Sequence, residues 1–194
     1  MGVSKAMVTQ ARPIEIDRIY SDAEFEALPE RRIELIDGRV FKKVPTKDEH
    51  GRVIANLWEA IVIFDPQRKL GRRWTETTFK IKLGFQPEPD LALVIASRVP
   101  PLGKDFLRVV PDFVLEVLSA RDLAPSSQTS VRTKIKNYVN SGVRLLWVVN
   151  PDEQRVDVYH AGNETPIDIL TIEDELDGED VIPGFKMAVA DLFV

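Results

Sequence analysis

PDLALVIASRVPPLGKDFLRVVPDFVLEVL, running from Pro89 to Leu118, is the stretch whose reading decides the fold. Its two ends, PDLALVI (89–95) and PDFVLEVL (111–118), are short, dense and rich in β-branched residues. Runs of that kind are strands buried on both faces of a sheet. The segment between them carries two prolines, Pro100 and Pro101, and reads as a surface loop.

Downstream, SQTSVRTKIKNYVNSGV has Val131, Ile135, Tyr138 and Val139 on one helical stripe, with Ser141-Gly142 as its stop. VRLLWVVNPD is a further buried strand, followed by RVDVYHAG. Upstream, Val53, Leu57, Ile61 and Phe64 recur at helical spacing, which predicts a helix from about residue 48 until Pro66 breaks it. WTETTFKIKL (74–83) alternates like a strand with one wet face. RRIELIDGRVFKKV reads as a hairpin, because Asp37-Gly38 between two β-rich runs is a strong short-range turn signal. Ser21 with Glu24 predicts a capped helix ending near Pro29. The expected fold class is α/β (mixed α+β): a mixed sheet flanked by helices and preceded by an N-terminal helix and β-hairpin. Residues 1–19 read as a leader or oligomer-clasping arm, and 20–194 as a single domain.

Composition narrows the chemistry. With 194 residues and no Cys, disulfides, thiolate zinc sites and cysteine nucleophiles are excluded. Only His50 and His160 are present, so a metal would be held by oxygen, which points to Mg²⁺, Mn²⁺ or Ca²⁺. No apolar run approaches the ~20 residues of a membrane helix, and no export signal opens the chain. The expectation is a cytoplasmic protein with no membrane partner. Net charge is -5, but unevenly spread. Residues 151–194 hold 2 Lys/Arg against 12 Asp/Glu, whereas residues 1–150 hold 24 against 19. A basic body with an acidic C-terminal part hints at an anionic partner.

Two acids sit where acids are costly. Glu116 lies inside FVLEVL and must be paired, protonated or metal-bound. Asp90 opens the other dry strand, and if the strands are neighbours the two carboxylates can converge on one cation. Asp112 shares the pleat face of Glu116, but four residues of strand is roughly 13 Å. From the pattern it is a strand-start residue contacting backbone or water. The plain alternatives are an ion pair of Glu116 with Arg144 and ordinary turn chemistry for Asp90. Lys134 borders the sheet-facing stripe, about 60° from Val131 and about 40° from Tyr138, while Lys136 points away from it. Lys134 can reach the carboxylates or merely cover apolar surface. By pattern alone Glu34 and Glu59 are solvated, and His50 is a helix cap or phosphate contact.

ELIDGRV, His50 with its following helix, PDLALV, PDFVLEVLS, the Lys134-xxx-Tyr138-xxx-Gly142-Val143 spacing and LWVVNPDEQRVDVY together resemble the PD-(D/E)XK nuclease superfamily and its restriction-endonuclease-like fold. More closely they resemble the Uma-type (Uma two) endonuclease family, over roughly residues 20–193. The resemblance implies a Mg²⁺- or Mn²⁺-dependent endonuclease with Asp90 and Glu116 as metal ligands. It also implies catalytic roles for Lys134, Glu34 and Asp112, nucleic acid (DNA) as substrate, and a homodimer. The superfamily lysine two residues after the strand acid is here Leu118, and Lys134 on the following helix stands in for it. Arg39, Lys42, Lys43, Arg72 and Arg73 would cradle a phosphate backbone. Two other classes compete: a nuclease-fold binding or assembly module without cleavage, and a metal-free paired-carboxylate enzyme such as a glycosidase.

Overall fold

A computed structural model describes residues 14, 18–30, 32–43, 45, 47–103 and 105–194. The arm expected over residues 1–19 falls almost wholly outside them. Helix α1 (Asp22–Glu26) starts on a full capping box, in which the Ser21 hydroxyl accepts from the Glu24 amide and the Glu24 carboxylate accepts from the Ser21 amide. Strands β1 (Ile33–Ile36) and β2 (Arg39–Lys42) form the hairpin. Its turn residues Asp37 and Gly38 have φ of 49° and 74°, the left-handed pair a tight hairpin turn needs. Helix α2 (Asp48–Phe64) ends before Pro66. Strand β3 covers Gly71–Trp74 and β4 Phe85–Gln86, the latter joining β1 in a three-stranded sheet of order β2-β1-β4.

The principal sheet has six strands. To β3 it adds β5 (Leu91–Ile95), β6 (Phe113–Val117), β7 (Leu145–Asn150), β8 (Arg155–His160) and β9 (Asp168–Leu170), in the order β3-β5-β6-β7-β8-β9. Only β6 and β7 pair in parallel, and helix α3 (Gln128–Asn140) is the crossover that parallel pairing requires. A small hairpin of β10 (Glu175–Asp177) and β11 (Lys186–Ala188) completes the chain.

The pleat sorts the core. Leu91, Leu93, Phe113, Leu115 and Trp147 pack with the α2 stripe of Val53, Leu57 and Ile61 and with C-terminal Ile182, Phe185 and Leu192. On the opposite face Val114, Leu146 and Val148 pack under Ile135, Tyr138 and Val139 of α3, with Ile36 and Phe85 from the small sheet. The sheet is thus mixed and covered on both faces, as the hydrophobic pattern requires. One expected element differs. The alternation of WTETTFKIKL does not make a ten-residue strand, because β3 runs from Gly71 and stops at Trp74. Glu76 adopts φ of 45°, which turns the chain off the sheet edge. The alternation nevertheless marks a real inner side: Phe79 is fully buried against Ala92 and Val94 and bridges to Leu107.

Candidate active site

β5 and β6 run antiparallel with Leu91 opposite Leu115 and Ala92 opposite Val114. Continuing that register by one residue sets Asp90 across from Glu116, on the face that α3 covers. The Val117 amide donates to Asp90 Oδ2 at 2.8 Å, tying the first acid to the strand of the second. Lys43, just beyond β2, donates to Asp90 Oδ1 at 2.9 Å, and His50 Nε2 of α2 stands 3.5 Å from the same oxygen. Lys134 Nζ lies 2.8 Å from Glu116 Oε2 and 2.8 Å from Glu34 Oε1, bridging strand and hairpin. One helical turn on, the Tyr138 hydroxyl donates to Glu116 Oε1 at 2.7 Å. Glu34 also accepts from the Glu88 amide at 2.8 Å. Three carboxylates and two ammonium groups therefore interleave in one largely buried array.

Burial sets the protonation pattern. Desolvation pushes the Glu116 carboxyl up to about 7, opposed by the Lys134 ammonium and reinforced by the negative charge of Asp90. For Asp90 burial acts in the same direction, but His50 and the Lys43 ammonium outweigh it and hold the carboxyl well below the usual range. Burial alone would lower Lys134. The Glu116 and Glu34 carboxylates more than offset this and keep it firmly protonated. Desolvation and then Glu116 raise Tyr138 well above its ordinary value, so it remains a hydrogen-bond donor.

Linkage gives a sign that can be checked. Between an ordinary unfolded-state Glu value near 4.3 and the folded value near 7, the folded protein holds the extra proton. Glu116 therefore makes the metal-free protein less stable as pH rises through that window. Glu116→Gln is expected to flatten this part of the stability profile, with the two proteins diverging by about 2 kcal/mol between pH 5 and pH 8. Metal-free urea unfolding at each pH measures it, and parallel profiles would contradict the assignment.

The array opens into a cleft of about 780 Å³ between the hairpin, the ends of β5 and β6, and α3. Arg39, Lys42 and Arg121 lie in its walls, with the hydroxyls of Ser126, Ser130 and Thr133 along the α3 side. Among the described residues no group of three or more His, Asp or Glu side chains is gathered around one point for a metal.

Of the residues singled out from sequence, Asp90, Glu116, Lys134 and Glu34 converge here. Glu34 corrects its pattern-based placement in solvent: all of β1 is buried, because β2, β4 and α3 enclose it. Asp112 does not join them. It is fully buried near the far ends of the strands, accepting from the Ile95 amide at 3.0 Å and from Arg98 at 2.5 Å, with Arg144 at 3.6 Å. Its surroundings are those of a structural anchor, as the rise along β6 demands. Arg144 binds Asp180 and Asp112, so it is not the partner of Glu116. Arg73 stacks over Trp58 and donates to the Ile61 carbonyl, and neither it nor Arg72 lines the cleft. Lys136 is exposed beside Glu164, and Glu59 is exposed on α2.

Lys43, His50 and Tyr138 complete the array and were not placed there by sequence reasoning. Tyr138 follows from Lys134 by i,i+4 spacing, and His50 extends the inward α2 stripe of Val53, Leu57 and Ile61. His50 is no cap, since the N-cap position belongs to Lys47, which makes no side-chain cap bond. Lys43 follows from strand alternation carried one residue past β2, where its amide still donates to the Arg32 carbonyl at 2.9 Å and its side chain falls on the face opposite Lys42.

A family model described as "Uma2: Putative restriction endonuclease" matches residues 22–190. A solved structure, described as that of a "putative nuclease belonging to DUF820" from Anabaena variabilis, superposes with a TM-score of 0.73. It is 24% identical and the match covers 88% of this chain and 96% of that one. No curated protein matches. No helix among the described residues is long and apolar enough to cross a membrane.

Proposed function

The chain belongs to the Uma2 family, and on that premise we propose that it is an endonuclease that hydrolyses the phosphodiester bonds of DNA with a divalent cation, Mg²⁺ or Mn²⁺. The observation that carries this is Asp90 set opposite Glu116 on a cleft-facing pleat, with Lys134 between Glu116 and Glu34. The residues fit such an ion. The available donors are carboxylate oxygens, and one or two carboxylates with retained waters are the usual protein share of a Mg²⁺ shell. Asp90 and Glu116 would hold it. When bound, the ion supplies Lewis-acid polarisation of the phosphoryl group and a water of lowered pKa.

The chain's own side chains account for the rest. Lys134, kept protonated by its two carboxylates, supplies positive charge where negative charge develops on the phosphate oxygens. Tyr138 fixes the rotamer of Glu116 by hydrogen bonding to one oxygen and leaving the other toward Lys134. Arg39, Lys42 and Arg121 in the cleft walls suit contacts to the sugar-phosphate backbone that do not depend on sequence. A homodimer would bring two such sites to the two strands of a duplex.

Supercoiled plasmid provides the test. Nicking in Mg²⁺ or Mn²⁺, abolished by EDTA and falling steeply from 50 to 200 mM salt, is the expected result. A low Asp90 beside a raised Glu116 is also how metal-free acid–base pairs are built. Hydrolysis of a glycoside that survives EDTA would transfer the assignment to that chemistry. DNA binding without cleavage in any metal would leave a nuclease-fold binding module.

A further inference from the structure

Lys43, which shares Asp90 Oδ1 with His50, has no part in the proposed reaction so far. Its side chain is only 12% exposed, and its Nζ donates to the Glu88 carbonyl at 2.7 Å and to Asp90 Oδ1 at 2.9 Å. The other Asp90 oxygen is already engaged by the Val117 amide. Lys134 serves Glu116 and Glu34, whereas Lys43 sits on Asp90, the other of the two carboxylates that would bind the ion. An ion bonded to Oδ1 and an ammonium 2.9 Å from the same oxygen would lie only a few ångström apart in a poorly screened interior. Their repulsion means that the two cations compete for Asp90.

We propose that Lys43 is the resident counter-cation of Asp90, that a divalent ion must displace it to bind, and that the displaced ammonium then faces the substrate phosphate. The chemistry is cation exchange at one carboxylate: ammonium out, divalent ion in, with no covalent change. Lys43 lines the same cleft as Arg39 and Lys42, and an entering phosphodiester brings the anion its ammonium then lacks. This inference rests on the metal-dependent reading above. The protein neutralises Asp90 by itself until the ion arrives, so the site answers only to metal concentrations that can outcompete a tethered lysine.

Mn²⁺ titration calorimetry and single-turnover plasmid nicking at saturating Mn²⁺ test it on the wild type, Lys43→Met, Lys43→Gln and Lys43→Arg. The Met and Gln variants are expected to bind Mn²⁺ roughly tenfold more tightly, because a competing charge is gone. They are also expected to nick roughly tenfold or more slowly at saturating metal. Lys43→Arg keeps the charge and should keep the weak wild-type affinity. Gln retains a donor for the Glu88 carbonyl and guards against misfolding of the Met variant. Lys136→Met, on the exposed side of α3 and outside the cleft, should leave Mn²⁺ affinity unchanged. Affinity that is unchanged or weaker in the neutral variants overturns the inference while leaving the nuclease reading in place. So does an unchanged nicking rate at saturating metal. A wild type that gives no Mn²⁺ heat overturns both.

Discussion

Lys134→Ala is expected to abolish plasmid nicking, by 10²-fold or more, while Lys136→Ala nicks at the wild-type rate. Lys134 lies 2.8 Å from both Glu34 and Glu116 and joins them. Its removal takes away charge stabilisation that acts on the transition state, a loss of that order in comparable sites. It also leaves two buried carboxylates without their shared ammonium, at about 3–5 kcal/mol of stability. A domain of this size can survive that loss, so folding and catalysis can be measured on the same variant. Lys136 is mostly solvent-exposed beside Glu164, and losing an exposed pair costs less than about 1 kcal/mol. Urea unfolding and nicking of the two alanine variants side by side decide the matter. Equal behaviour would mean that the helical face has been assigned wrongly.

Mn²⁺ titrated into the wild type should give binding heats that vanish in Glu116→Ala and in Asp90→Asn. Each variant removes one of the two carboxylates facing each other across β5 and β6, and with it half of the anionic charge proposed to hold the ion. The expected loss of affinity is about 10²-fold or greater, beyond the range of the titration. Asp90→Asn retains an oxygen for the Val117 amide, so the local backbone is kept while the charge is lost. Equal heats in all three proteins would remove the site as described, whatever the fold.

Part of the site was legible because it rests on local costs. A carboxylate within FVLEVL is conspicuous against five apolar neighbours, and the 100° helical step puts Lys134 and not Lys136 beside the inward stripe. Glu34 and His50 were misplaced for a shared reason. Alternation and cap preferences describe a strand or helix against solvent, whereas here a second sheet and the end of α2 close over the first. Arg39, Lys42 and Lys43 read as one basic run, yet Arg39 and Lys42 are exposed whereas Lys43 is a largely buried partner of Asp90.

Hydrophobic period, turn chemistry and the Asp37-Gly38 hairpin are properties of consecutive residues. The sequence alone therefore determined most of the order of elements, the mixed sheet with a helix on either face, and the two acids that needed a cation. Which cation each acid received was decided only in three dimensions. Asp90 meets Lys43 across 47 positions and Glu34 meets Lys134 across 100, pairings that depend on strand register and on how the small sheet docks against α3. Charge pairs across such separations leave no periodic trace in the chain, because the interaction falls off with distance in space and is blind to distance along the sequence.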